Sequence, residues 1–380
     1  MNIRIRDILK LPTYQPLNTI EISKKNLLFN YRYLSSTNRK SKIAPVLKSN
    51  AYGHGILETA KILDAKNPPY FCVDSLFEAY ELLKAGIKTP ILILGYIDPE
   101  SLKVKKLPFS YAVFDLKILQ AINEFQPEAE VHLFVDTGMH REGIPLDLLP
   151  TYLKQITRLP NIKIVGVMSH LASADNRVDQ LNRLQIKNFK KAIKLIKDFG
   201  HKPKWIHLSN SDSLLNLSVH LKGVNVNLAR TGLSLYGISN VHLRGGKLKP
   251  VLQLKTKLTQ IKHLQKGDSV GYSGTFRVKK DIVLGVLPVG YFDGVDRRLS
   301  NKGYVTVNGV ACPIIGTVSM NITTINLSDV PNPLIGQEVI IYSNNPKEIN
   351  SISNAAEICK TISYELLVHL TPSIKRIVLD

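Results

Sequence analysis

Ile43-Ala44-Pro45-Val46-Leu47-Lys48-Ser49-Asn50-Ala51-Tyr52-Gly53-His54-Gly55 joins two textures: a short apolar run closed by a lysine, and a polar turn flanked by glycine. An apolar run of that length, bounded by turn residues, reads as a buried strand. Seven similar runs follow: Tyr70–Val73, Pro90–Leu94, Tyr111–Phe114, Val131–Val135, Ile164–Met168, Trp205–Leu208 and Leu233–Tyr236. Helical segments lie between them. After Val73, Ser75-Leu76-Phe77-Glu78 is a capping box, Leu76, Tyr80 and Leu83 share a face, and Gly86 can end the helix. Eight strands alternating with helices over roughly 200 residues fit a (β/α)8 TIM barrel in the α/β class. A doubly wound sheet alternates in the same way, so periodicity leaves the closure open.

The texture changes at Gly245-Gly246-Lys247. Leu252, Leu254, Thr256 and Leu258 then alternate with Gln253, Lys255, Lys257 and Thr259, as in a half-exposed strand. Ile282–Leu287, Tyr304–Val307, Pro313–Val318 and Glu338–Tyr342 add further short strands. The chain therefore divides into residues 1–245, a barrel with a short N-terminal extension, and residues 246–380, a mainly β domain. A total of 380 residues suits two domains.

Composition sets outer bounds. With 44% hydrophobic residues a sizeable core is available. Cys72, Cys312 and Cys359 are too dispersed for a disulfide framework or a zinc motif. Met1–Asp7 holds no apolar targeting core, and no uncharged run approaches the roughly 18–20 residues of a bilayer span. These features predict a soluble cytoplasmic protein without membrane contact. The net charge of +20 invites a nucleic-acid reading. Its best support is Arg183, Lys187, Lys190, Lys194 and Lys197 at helical spacing, with Leu181, Leu184, Ile193 and Ile196 opposite. That pattern also describes the solvated face of a barrel helix, and no nucleic-acid motif accompanies it.

Chemistry concentrates at Lys48. A lysine at the C-terminal end of a barrel strand faces the mouth where barrel sites are built. Partly desolvated, it can act as a base or form a Schiff base with a carbonyl. His54, Asp293 and Asp296 lack ligand spacing, so no metal is expected.

The string around Lys48 resembles the pyridoxal-phosphate signature of the alanine racemases, and the likeness extends over nearly the whole chain. Val135-Asp136-Thr137-Gly138-Met139-His140-Arg141, Gly166–Asp175, His207–Ser211 and Arg230–Gly237 follow in the family's order. So do Val270–Thr275, Pro288–Gly294, Arg297–Asn301, Gly316–Met320 and Ile362–Glu365. One such motif would be weak; this many in order are specific.

The resemblance implies a pyridoxal-5'-phosphate enzyme that interconverts L- and D-alanine and supplies D-alanine for peptidoglycan. In it Lys48 holds the cofactor and serves as the base on the D face, with Tyr272 as the base on the L face. Arg230 faces the pyridine nitrogen, oriented by His170, with Asn210 in the same wall. Ser211, the Gly232 and Leu233 amides, and the Tyr52 and Tyr364 hydroxyls take the phosphate. Arg141 and the Met320 amide hold the substrate carboxylate. The family's active sites form across two chains, so a head-to-tail homodimer is implied, with Tyr272 and Met320 donated in trans.

Three positions depart from the pattern. Phe134 stands where many members carry a carbamylated lysine that orients the arginine equivalent to Arg141, which leaves that arginine in need of a partner. Thr317 and Asn321 stand where an arginine and an aspartate line the entrance. A racemase of broader range, acting on lysine, arginine or serine, stays open. A barrel-type decarboxylase fits less well, because that class sets a carboxylate where Arg230 stands. A pyridoxal-phosphate carrier would lack the β domain.

Overall fold

The computed structural model describes residues 15–216, 221, 223–239, 241 and 248–380. Met1–Asp7 and Gly245-Gly246-Lys247 lie outside the described residues. Eight strands form the first unit: β1 (Lys42–Pro45), β2 (Phe71–Val73), β3 (Ile91–Ile93), β4 (Phe109–Val113), β5 (Glu130–Asp136), β6 (Lys163–Met168), β7 (Trp205–His207) and β8 (Leu228–Thr231). From β2 to β7 each pairs in parallel with the next. The Val46–Cys72 bridge joins β1 to β2, and Leu228 of β8 pairs with Lys42 of β1. Backbone bonds from Asn227 to Ile206 and from Arg230 to Ser209 tie β8 to β7. The sheet closes into a barrel, which excludes the doubly wound alternative.

Strands buried on both faces explain why the sequence shows continuous apolar runs instead of alternation. Ala44, Cys72, Leu92, Ala112, Phe134, Met168, Trp205 and Leu228, one per strand, form an inner cluster. Val73, Leu133, Val135 and Val167 belong to the outer core beneath the helices. Of the barrel strands, only the eighth differs from expectation. Leu233–Tyr236 is a turn of 3-10 helix, and the strand is Leu228–Thr231, interrupted in hydropathy by Arg230. Leu233–Tyr236 is wholly buried, and a short buried apolar run has the same composition in a strand or a helical turn.

The second unit is mainly β. Its largest sheet runs Val310–Pro313, Tyr304–Val307, Glu338–Tyr342, Leu252–Lys257, Thr19–Ser23, Lys375–Leu379. Thr19–Ser23 lies between Leu252–Lys257, antiparallel, and Lys375–Leu379, parallel. The N-terminal extension thus enters the C-terminal sheet. Where a strand was expected at Pro313–Val318, the observed one is Val310–Pro313. A small hairpin, Ser269–Val270 with Phe276–Arg277, carries Tyr272–Gly274 at its turn.

The basic helix spans Gln180–Asp198. Its lysines face outward, and Asn182, Gln185, Ile186, Phe189, Ala192, Ile193 and Ile196 are buried, while Leu184, expected on the apolar side, is half exposed.

Arg376, in Lys375–Leu379, reaches the barrel mouth. Its guanidinium donates to the carbonyls of Gly53 (3.0 Å), Leu370, Thr371 and Ile374. Replacing it with methionine keeps the stem but leaves these partly buried carbonyls without a donor. Arg376→Met should lower unfolding stability by about 2–3 kcal/mol, read by chemical denaturation.

Candidate active site

After β1 the chain passes through Lys48 into a left-handed turn. Ser49, Asn50, Ala51 and Tyr52 all have φ between 52° and 56°, and Gly53 follows at 78°. Four consecutive side-chain-bearing residues in that region are costly, by about 1–2 kcal/mol each. Three contacts hold them there. The Glu78 carboxylate accepts from the N–H groups of Ser49 (2.6 Å), Asp74 (2.9 Å) and Asn50 (3.4 Å). His54 Nδ1 lies 3.1 and 2.9 Å from the carbonyls of Ala51 and Tyr52, and its ring stacks on Tyr236. Arg376 caps Gly53. The Ser75 hydroxyl does cap the helix at the Glu78 N–H, but the Glu78 side chain serves the turn instead of closing the box.

The turn delivers Lys48 and Tyr52 to a cavity of about 460 Å³. Lys48 Nζ stands 3.0 Å from Asp74 Oδ1. Burial, then the neighbouring Tyr364, pushes the Tyr52 phenol up, so it stays a hydrogen-bond donor. Opposite, Ser211 Oγ accepts from the Gly232 N–H (3.0 Å) and the Ser234 N–H (3.4 Å). A Cβ on Gly232 would run into the Tyr52 hydroxyl and ring, so only glycine leaves room there. Asn210 caps the start of the helix Ser211–Asn216 through Oδ1 and the Ser213 N–H.

Arg230, 4% exposed, forms the floor. Its NH1 donates to His207 Nδ1 (2.9 Å) and to the His207 carbonyl, and its NH2 donates to the Ser169 carbonyl (2.7 Å). The side chain that orients Arg230 is thus His207, not His170. His170 also lines the cavity, where burial and then Arg230, Arg141 and Lys48 pull its pKa down to about 3. Among cations in a dry site it stays neutral. Burial lowers Arg230 to about 10, which still leaves it charged at neutral pH.

Asp136 organises the loop bearing Arg141. Its Oδ1 accepts from the N–H groups of Gly138, Met139 and His140. Burial opposes that charge, but the three donors hold the carboxyl below its usual range. Phe134 fills the family's lysine position with a ring packed edge-on against Phe114. Arg141 finds its partner next door: Nε lies 3.5 Å from Glu142 Oε2. No motif marked Glu142; only its place beside Arg141 could have flagged it.

The cavity gathers Lys48, Tyr52, Arg141, His170, Asn210, Ser211, Arg230, Gly232, Leu233 and Tyr364. Tyr272 and Met320 do not line it. They are 72% and 57% exposed. Near them, Thr317 Oγ1 meets Thr275 Oγ1 at 3.0 Å, and the Asn321 amide approaches Asp293 at 3.5 Å. Among the described residues no group of three or more His, Cys, Asp or Glu side chains could hold a metal, and no helix is long and apolar enough to cross a membrane.

Known proteins match this architecture end to end. Residues 22–240 match the family model described as "Alanine racemase, N-terminal domain", and residues 251–378 match "Alanine racemase, C-terminal domain". The chain belongs to the alanine racemase family. The alanine racemase of Syntrophobacter fumaroxidans is 35% identical over 356 residues, 91% of this chain and 93% of that one. That of Thermodesulfovibrio yellowstonii is 36% identical over 355 residues, again 91% and 93%. Among solved structures, the alanine racemase of Bacillus anthracis with bound L-Ala-P superposes with a TM-score of 0.87 at 29% identity, covering 97% of this chain and 96% of that one. The family's members are pyridoxal-phosphate-dependent isomerases, and this chain is an enzyme of that class.

The donor set suits that cofactor. Tyr52 and Ser211 hydroxyls and the Gly232 cradle gather at one wall, as a phosphate dianion requires. A charged guanidinium lies at the floor and a primary amine at the strand end, the two groups a pyridine nitrogen and an aldehyde would meet.

Burial also lowers His54 to about 4 and His132 to about 3, and takes His207 well below its ordinary value. On unfolding each of these side chains, like His170, binds a proton near pH 6.5, so the unfolded state gains protons that the native state refuses. Their stabilising contribution is full above about pH 6.5 and fades as pH falls towards 4–3. Calorimetry between pH 7.5 and 5 should show Tm falling steadily on the acid side. His54→Phe should flatten that slope.

Proposed function

We propose that this chain interconverts L- and D-alanine by two-base proton transfer, with Lys48 and Tyr272 as the bases. One observation carries the reading: Lys48, the phosphate-suited wall and the buried Arg230 share one cavity in a member of this family. Pyridoxal phosphate supplies the electron sink that renders a substrate Cα proton acidic enough to leave.

The residues divide the remaining work. Tyr52, Ser211, Tyr364 and the Gly232 and Leu233 amides grip the phosphate. Asn210 sets the start of the helix behind Ser211. Arg230, a pure donor, hydrogen-bonds the ring nitrogen without giving up its proton. A donor that keeps its proton at that position would favour return of a proton to Cα over side reactions. His170, neutral, packs in the same wall. Lys48 would hold the cofactor at its aldehyde end and, once its amine is free, would take or return the Cα proton on the D face. Asp74 holds its ammonium until then. Tyr272 does the same on the opposite face, so one proton departs as another arrives. Arg141, with Nε engaged by Glu142, keeps its NH1 and NH2 edge for the substrate carboxylate, and the Met320 N–H assists.

Tyr272 and Met320, exposed outside the cavity, support a site completed by a second copy. The catalytic unit is then a head-to-tail homodimer, each barrel (residues 1–245) capped by the partner's β domain (residues 246–380). D-alanine made there serves peptidoglycan precursors.

The purified protein with pyridoxal phosphate should abolish the optical rotation of L-alanine; no change would refute the assignment. Faster turnover of lysine, arginine or serine in the same panel would replace alanine as the substrate. Lys48→Ala should lose both the visible cofactor absorbance and activity. Tyr272→Phe should keep the absorbance and lose about 10²–10⁴ in rate. Mixing the two inactive variants under subunit exchange should restore activity, since a shared-site heterodimer contains one intact site. No restoration, or full activity of a monomer by light scattering, would place both bases in one chain.

A further inference from the structure

Behind Arg230 the barrel interior holds a second histidine that no part of the proposed reaction uses. His132, on β5, and His207, on β7, are both fully buried, and His132 Nδ1 lies 2.8 Å from His207 Nε2. Two rings can meet across β6 because the residue paired with His132 on that strand is Gly166. A Cβ on Gly166 would overlap the His132 ring at Nδ1, Cγ and Cε1. Side chains from alternate barrel strands share one interior layer, and a glycine on the strand between opens the gap.

The donor directions are forced. Arginine has no acceptor, so Arg230 NH1 can only donate to His207 Nδ1. His207 therefore carries its proton on Nε2 and donates it to His132 Nδ1. His132 in turn carries its proton on Nε2, an atom with no hydrogen-bond partner among the described residues. Burial, and beyond it the Arg230 charge, keeps both rings neutral. A neutral imidazole chooses its tautomer from the bond its far nitrogen makes. Without an acceptor at Nε2, the proton that Arg230 forces onto that nitrogen would be buried unpaired, and the His207 ring would lose the contact that holds it against the guanidinium.

We infer that His132 is a positioning residue for the reaction: by accepting from His207 Nε2 it holds in place the ring whose Nδ1 pins Arg230 at the cavity floor. The inference rests on the assignment of Arg230 to the cofactor's ring nitrogen. An unpaired Nε2–H on His132 is then the cost of directing every other bond in the relay towards the cavity.

The test uses the holoenzyme with ¹⁵N-labelled histidine. In the unmodified protein His207 should show the Nε2–H tautomer. Observation of Nδ1–H there would overturn the inference whether or not any variant folds. His132→Leu should shift the His207 Nε2 signal, as its hydrogen bond is lost, and weaken retention of pyridoxal phosphate by about tenfold, the effect of losing one buried hydrogen bond. His132→Asn can place its amide oxygen near the former Nδ1, and should restore both the His207 Nε2 signal and retention. If His132→Leu changes neither, or if His132→Asn rescues neither, the relay does not work through that acceptor. Unmodified protein that binds the cofactor and racemises alanine meanwhile leaves the Lys48 and Tyr272 assignment standing, so the two failures are distinct.

Discussion

The left-handed turn from Ser49 to Gly53 is the constraint on which the rest of the site depends. It alone lets Lys48, just beyond β1, and Tyr52, four positions on, enter one cavity. Isolated, such a run is unfavourable for residues with a Cβ. It persists because parts from distant sequence over-determine it: Glu78 from the helix that follows β2, Tyr236 beneath His54, and Arg376 from the far end of the chain. Strain held this way is characteristic of functional sites. Here it also explains why the two structural units share a site instead of merely adjoining.

Around the turn, charge is handled by burial in two opposite ways. Arg230 stays charged in the interior because three acceptors surround it. The histidines near it are neutral because desolvation and that same cation both oppose a second positive charge. The cavity thus presents fixed donors to an anionic, electron-poor ligand without collecting protons at neutral pH. The net charge of +20 has little part in this; the basic helix holds its lysines outward, away from the mouth.

Much of this was legible in the residues. Seven of the eight barrel strands lie within the apolar runs or a residue or two of them, since a doubly buried strand must be apolar throughout. The eighth was displaced because Arg230 breaks its hydropathy, and the same arginine is what the site needs. Thr19–Ser23 reads in the sequence only as part of an extension, because a short alternating strand gives no hint of the sheet it will join. The motif residues of the cavity were found by their blocks, but the partners were not. The motif order points to His170 as the support of Arg230, where the fold supplies His207, and nothing in it marks Glu142 beside Arg141. Which nitrogen meets which guanidinium is a matter of ångströms, and spacing along the chain does not encode it.

By itself, then, the sequence determined the class of fold and the family and named the candidate reacting groups, because these follow from local hydropathy and from side-chain chemistry in a fixed order. Tertiary structure decided the closure of the barrel, the backbone strain that aims Lys48, the His132–His207–Arg230 chain across Gly166, and the exposure of Tyr272 outside the cavity. Each of those depends on contacts between residues dozens to hundreds of positions apart. Such contacts exist only once the chain has folded, when desolvation and geometry fix which groups must share a proton and which must not.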